Sequence, residues 1–375
     1  MGLAGVGNWP RLLINMIEPT QEAVHLRERD FDPNYVPSYA TVERQDSGKK
    51  IRTRLRNALG SNQLLLTVGM MAGDKVAYRL LNHVRSHKTL NSSIKAEDAA
   101  VRITRTYHHY LLFGRMNSLT GKICEIGPGD TAGVSLLALR YGAETSDLVE
   151  RFDRTISVET QAGIYQALSR IHDLDQFKTG DQWRDDQIRG IRWIRDSGEN
   201  HLRNCLREGK KYDTLISNAV LEHLDDPLGV IQIGVDVLND HGVMLHQIDL
   251  DDHGIYSSLP QYYDDLSWLE TPDWLYRRFA QNSGRPNRIL FHQYRKLLQE
   301  MKQQGKIRSF QLIIRLVAGV GRIAPPGIVF DQLPADMVHS AVRYVDERKS
   351  RLARSLRDVP SLELAIRGFF ATIQK

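Results

Sequence analysis

Cysteine is nearly absent: Cys124 and Cys205 are the only two in 375 residues. Two thiols are too few for a disulfide framework or a four-thiolate zinc site, and they suit a reducing compartment. No apolar run approaches the roughly 18 residues of a membrane span. The opening MGLAGVGNWPRLL carries no charge ahead of its apolar run and no cleavage-type site, so no secretory leader is expected. Val6 stands where a myristoylation signal has Ser or Thr. Repeats and low-complexity tracts are missing. So are zinc-ribbon, helix-turn-helix and aromatic–basic RNA-platform signatures, and nucleic acid is not an expected partner. The expected location is the cytoplasm.

What remains is ordinary globular composition, 41% hydrophobic and 25% charged. The net charge of +5 is uneven. Residues 1–122 hold 18 Lys and Arg against 10 Asp and Glu, and residues 123–375 hold 32 against 35. A basic N-terminal third can serve an anionic partner or be a solvated helical surface. Residues 1–100 read as a mostly helical extension, with a helical pattern from Arg52 to His87, and 101–375 as the main domain. From Lys122 onward, strand-length apolar runs alternate with helical ones, which predicts a parallel sheet with crossover helices. KICEIG, LVERF, IRWIR, YDTLISNAV and GVMLHQIDL are the first five strands; SFQLIIRLV and LAIRGFFATIQ are two more. An insertion over about 251–305 carries Tyr256, Tyr262, Tyr263, Trp268, Trp274, Tyr276 and Phe279. Val338, Val342, Val345, Leu352 and Leu356 mark an apolar helix stripe near the end.

The sharpest motif is Glu125-Ile-Gly-Pro-Gly-Asp130, which ends a strand and opens a helix that has Thr131 near its start. Gly127 and Gly129 let a ligand approach the backbone, and the helix start offers free N–H groups. The run formally satisfies the dinucleotide fingerprint G-x-G-x-x-A. Glu125 and Asp130 argue against a pyrophosphate there, because two carboxylates favour a cationic ligand. S-adenosylmethionine carries an ammonium and a sulfonium.

With CEIGPGD, LVERF, WIRDSGEN and YDTLISNAVLEHLDDP in this order, the sequence resembles the class I S-adenosylmethionine-dependent methyltransferases, most closely bacterial small-molecule or glycan-associated ones with an EIGPGD loop. Asp130 departs from the commoner form, which has a third glycine there. The resemblance implies a doubly wound, mostly parallel, seven-stranded Rossmann-like α/β sheet, with LAIRGFFATIQ antiparallel at or near its edge. It also implies S-adenosyl-L-methionine as cofactor. Glu150, ending the second strand 25 residues after Glu125, is the expected ribose ligand. Asp196, after WIR, is expected near the adenine amino group. Ser217 and Asn218 end the fourth strand, where open α/β sheets bind ligands, and line the cofactor.

Transfer to a hydroxyl requires alignment and removal of a proton. His223 and His253, past the fourth and fifth strands, are the candidate bases. His246 reads as a core residue. No metal is expected from His246, Asp249, Asp251, Asp252 and His253, since strand alternation separates them. His108 and His109, with Tyr107 and Tyr110, can close over the ligand or pack; Asn287 and Arg288 can bind a polar acceptor group or form a salt bridge at a helix start. The insertion's aromatics are expected to be divided between packing and the walls of an acceptor pocket. The expected activity is O-methylation of a small molecule or glycan. The alternatives are an RNA methyltransferase that uses the basic N-terminal region and a non-catalytic cofactor-binding or scaffold subunit.

Overall fold

In the computed structural model, the described residues are 62–81, 94–153, 156–253, 256, 259–280 and 285–375. The helical pattern expected over 52–87 is realised as α1, Gln63–Leu81; the rest of it, like most of 1–100, lies outside the described residues. A second helix, α2 (Ala96–Gly114), leads into the sheet. No helix among the described residues is long and apolar enough to cross a membrane.

The alternation then plays out as β1 (Gly121–Ile126), α3 (Gly133–Arg140), β2 (Ala143–Glu150), α4 (Val158–His172), β3 (Ile191–Arg195), α5 (Gly198–Glu208), β4 (Tyr212–Asn218), α6 (Pro227–Asp236) and β5 (Leu238–Asp249). Three helix starts are written in the sequence. Ser157 and Ser197 accept from backbone N–H groups of α4 and α5 at 3.2 Å each, and Asp226, ahead of Pro227, accepts from Gly229 N–H at 2.9 Å. The α3 helix opens at Gly133, two residues beyond Thr131, with no side-chain cap. The insertion supplies α7 (Asp273–Ala280) and α8 (Phe291–Gln303); β6 (Ser309–Val317), β7 (Gly321–Arg322), β8 (Ile328–Val329), α9 (Ala335–Asp346), α10 (Ser361–Ala365) and β9 (Ile366–Gln374) follow.

The strands order as β3-β2-β1-β4-β5-β9-β6-β7, with β8 also on β6. The first five are parallel, and β9 runs antiparallel to both its neighbours. The doubly wound α/β class is as expected, with one correction: the sheet has nine strands, because two-residue β7 and β8 flank β6. The final strand is antiparallel and near the edge as expected, one place in from β6, and eight of its nine residues are buried. IRGFFATI is apolar without alternation, the pattern of a strand covered on both faces. Its one charge, Arg367, is neutralised by Asp251 and by Asp265 at 3.1 Å.

Two apolar clusters sandwich the sheet, one with α2, α3 and α4 and the other with α5, α6 and α8. Between strands, Asp147 of β2 takes a two-pronged bond from Arg192 at 2.9 Å, the Tyr212 hydroxyl at 2.5 Å and the Lys210 ammonium. These donors hold its carboxyl below the usual range despite burial. Asp147→Ala strips three donors at once and should lower the free energy of unfolding by about 3 kcal/mol in a urea titration. The late apolar stripe is not one helix: α9 stops at Asp346, and Leu352 and Leu356 are buried from the turns that follow.

Candidate functional site

Strand order reverses between β1 and β4, and the loops leaving these strands diverge there, which is where open α/β sheets bind ligands. The β1 loop turns through Gly127 at φ +69° and Gly129 at φ +73°, a region open to glycine at little cost. A side chain at Gly127 would also put its Cβ 2.5 Å from a Val220 methyl, so the β1 and β4 loops are fitted to each other. Ala219, between Asn218 and Val220, has φ +54°. Such a value in a residue with a side chain is a held strain of the kind that gathers at functional sites.

Glu150 reaches this loop. Its Oε2 accepts from Gly129 N–H at 3.2 Å and its Oε1 from Phe152 N–H at 3.0 Å, and burial raises its carboxyl above the usual range. A cleft of about 470 Å³ opens beside it, walled by Phe152, Ile156, Gln161, Trp193 and Ile194. An acid at the foot of a partly apolar cleft suits a ribose carrying a flat base. Glu125, one strand over, is buried and accepts from Ser135 Oγ at 2.6 Å; burial pushes its carboxyl up to about 7.

The far side of the loop is held by residues the sequence reading missed. Ala132 N–H donates to the Tyr165 hydroxyl at 2.8 Å, and Gln161 Nε2 lies 3.3 Å from Asp130 O. Both α4 side chains donate in turn to the buried carboxylate of Asp185, Gln161 at 2.6 Å. Asp185 sits in a polar turn, RDDQ, with nothing in its spacing to set it apart. Asp130 itself is buried. Asp196 follows β3 as expected, accepts from Ser197 N–H at 2.8 Å and lines a smaller hollow of about 240 Å³; Ile194 lines both that hollow and the Glu150 cleft. At the end of β4, Ser217 Oγ lies 2.7 Å from His246 Nδ1, and Asn218 Oδ1 is buried without a partner.

Past β4 and β5 the structure brings the two candidate bases together. His223 ends the turn Leu221–His223, and His253 stands four residues beyond β5 with φ +50°. Their ring centroids are 4.8 Å apart. Glu222 lies against both, fully buried, and neither of its oxygens makes a hydrogen bond; burial holds its carboxyl well above the usual range. The Asp249 carboxylate adds to the rise, and the backbone N–H groups of Glu222 and Asp249, outside hydrogen-bond geometry, offset part of it.

Other candidates turn out to be structural. His246 is buried, and burial lowers its imidazole to about 3, so it stays neutral. Asp252 accepts from Tyr256 N–H at 2.6 Å inside the core. Asn287 donates to the carbonyls of Leu221 and Leu224 at 2.9 and 2.8 Å, strapping down the turn that carries His223. Arg288 lies over the Tyr276 ring at 3.9 Å and donates to Trp268 O, Thr271 O and Asp273. Of the insertion's aromatics, Tyr256, Trp268, Tyr276 and Phe279 are core residues, while Tyr262 and Trp274 are exposed. Tyr107 and Tyr110 are buried on α2, and His109, half-buried beside Phe113, is lowered to about 3 by burial and by Arg315. Tyr110 packs on Phe370 of β9, with ring centroids 5.9 Å apart.

Residues 97–305 match the family described as a methyltransferase domain. No protein of curated function matches the sequence. Among solved structures, the plantazolicin methyltransferase BamL, crystallised with a triazolic desmethylPZN analog and SAH, is 13% identical, with 84% of this chain and 98% of that one covered and a TM-score of 0.40. A SAM-dependent methyltransferase from Archaeoglobus fulgidus is 10% identical over 80% of this chain and all of its own, with a TM-score of 0.37. A protein from Streptococcus mutans, assigned as a SAM-dependent methyltransferase, is 12% identical over 72% of this chain with a TM-score of 0.34; this chain spans about half its length, 48%. The family match takes in more than half of the chain, from α2 through the β1 loop, the Glu150 strand and the His223 turn to the end of α8. By that match the chain belongs to the methyltransferase family, and it is a class I S-adenosylmethionine-dependent enzyme.

Proposed function

We propose that the enzyme methylates a hydroxyl oxygen of a small molecule or sugar. The observation that carries this is the His223–His253 pair over Glu222, one turn past the β4 end whose Val220 touches the cofactor loop. An already nucleophilic acceptor needs alignment alone; a hydroxyl needs help in losing its proton, and a pair of imidazoles supplies it. S-adenosylmethionine, when bound, supplies an electrophilic methyl on its sulfonium. In this reading Gly127 and Gly129 admit the cofactor to the backbone, Glu150 takes the ribose hydroxyls and Phe152 and Trp193 wall the base. Asp196 lies on the adenine side, Ser217 and Asn218 line the middle, and Glu125 and Asp130 favour the amino-acid end. The orphaned Asn218 Oδ1 supports this, as a buried acceptor awaiting a donor. Two free buried thiols, Cys124 and Cys205, accord with a cytoplasmic location.

The test is a metabolite and sugar screen with methyl-labelled cofactor; label appearing only on nitrogen or carbon would refute the oxygen assignment, and label only on RNA would refute the small-molecule one. By calorimetry the protein should bind S-adenosylmethionine and S-adenosylhomocysteine and not NAD, because the acidic residues Glu125 and Asp130 flank the loop in sequence and disfavour a pyrophosphate there. Glu150→Ala should weaken cofactor binding by roughly 1.5–3 kcal/mol, about 10- to 150-fold. An unchanged affinity would remove Glu150 from the ribose.

A further inference from the structure

A buried carboxylate with no hydrogen bond is rare and calls for a cause. Both oxygens of Glu222 are in this state. Asp249 and the buried Tyr294 hydroxyl are within electrostatic reach, and two imidazoles are close: Glu222, His223 and His253 each offer a ligand atom, and these atoms lie within 4.8 Å of one another. Neutral imidazole with carboxylate is a donor set for first-row divalent ions, and two His with one Glu is a zinc set that leaves positions open to a ligand. Metal–ligand bonds of about 2.0–2.2 Å span at most about 4.3 Å between two ligands of one ion. In the tetrahedral arrangement of zinc, ligand atoms stand about 3.4 Å apart, so the trio has to close by up to about 1.4 Å, a movement of the two surface imidazoles. The backbone is prepared for it: Asn287 fixes the Leu221–His223 turn from below, and His253 is held at positive φ. Asp249 Oδ2 lies 3.9 Å from His253 Nε2, beyond hydrogen-bond distance, and would have to close on the ring to orient it as an outer carboxylate does.

We propose that Glu222, His223 and His253 bind a divalent transition-metal ion of the zinc class, with its open positions toward the acceptor. The proposal rests on the acceptor-site reading above and deepens it: the imidazoles promote loss of the hydroxyl proton through the ion. An ion here polarises the acceptor oxygen, so the O–H bond breaks with its proton passing to solvent and its electron pair staying on the oxygen that is then methylated. The favoured substrate class is an alcohol or phenol with a second oxygen near enough to complete a chelate.

The experiment uses the full chain, stripped by chelator and dialysed, without cofactor. Cobalt(II) is added and followed by visible absorption, and zinc binding is measured by calorimetry. One equivalent should bind, with an absorption band from nitrogen and oxygen ligands and with release of a proton, since Glu222 must ionise to ligate. His253→Ala, at the surface, and Glu222→Gln should each weaken binding by about 100-fold or more, with the far-ultraviolet circular dichroism of His253→Ala unchanged. No binding by the wild type, or binding undiminished in His253→Ala, overturns the proposal. If the wild type methylates a hydroxyl at full rate in chelator, the ion is wrong and O-methylation stands. If the ion binds at these three residues but no hydroxyl acceptor is found, the metal site stands and the O-methylation reading falls.

Discussion

Between about pH 5 and pH 8 the cofactor-free protein should lose about 3 kcal/mol of folding free energy through Glu125 alone. The folded protein holds this carboxyl at about 7, against an ordinary value near 4.5, because β1 buries it beneath α3 and only Ser135 Oγ donates to it. Below about pH 4.5 the group is protonated in both states and contributes nothing. Between the two values the folded chain holds a proton that the unfolded chain has released, so stability falls as pH rises. Above 7 both states are ionised and the penalty is complete. Glu150 and Glu222 are shifted the same way, so the wild-type slope should be steeper still. Glu125→Gln keeps the shape and the bond from Ser135 while removing the charge. Urea titrations across this range should show the variant more stable than wild type at pH 8 and nearly equal to it at pH 5. Identical profiles would mean that Glu125 is already ionised in the folded protein. The effect bears on function, because a cationic ligand beside the loop favours the ionised carboxylate. Cofactor binding near pH 6 to 7 should then release a proton, read by calorimetry in buffers of different ionisation enthalpy.

The elements that position this site could be read from the chain where local chemistry decides. Ile191–Arg195 and Ser309–Val317 are the expected strands residue for residue, because short apolar runs between polar turns have few alternatives. The β1 loop was legible because glycine takes its two positive φ angles at little cost. Other features depend on what lies opposite. Arg288 reads as a free cation until Trp268 and Tyr276 fold beneath it. Asp185 gains its role only when α4 brings Gln161 and Tyr165 against it. That β9 inserts between β5 and β6 follows from pairing with both, a long-range choice that one run of apolar residues does not encode. The meeting of His223 and His253 is of the same kind. Each could be named from the sequence, but they are 30 residues apart. They converge because β4 and β5 pair in parallel with Ser217 opposite His246 and Asn218 opposite Gln247, so both strands end side by side.

That convergence carries the largest effect expected on turnover. With a hydroxyl acceptor in hand, His223→Ala and His253→Ala should each lower kcat by roughly 10²–10⁴-fold, the usual contribution of a group that manages a proton in the transition state. Affinity for S-adenosylmethionine should hold nearly constant in both, because neither residue belongs to the Glu150 cleft. Glu150→Ala should show the opposite split, with a raised KM for the cofactor and a smaller change in kcat. The double variant separates a working pair from two independent residues. Rings 4.8 Å apart that share Glu222 act as a unit, so removing both should cost little more than removing one. Effects that multiply would mean separate tasks, one imidazole on the acceptor and the other holding the loop after β5. Losses under about tenfold for both single variants would mean that neither activates the acceptor; alignment in the cleft would then carry the catalysis, and the acceptor would have to be nucleophilic before it binds.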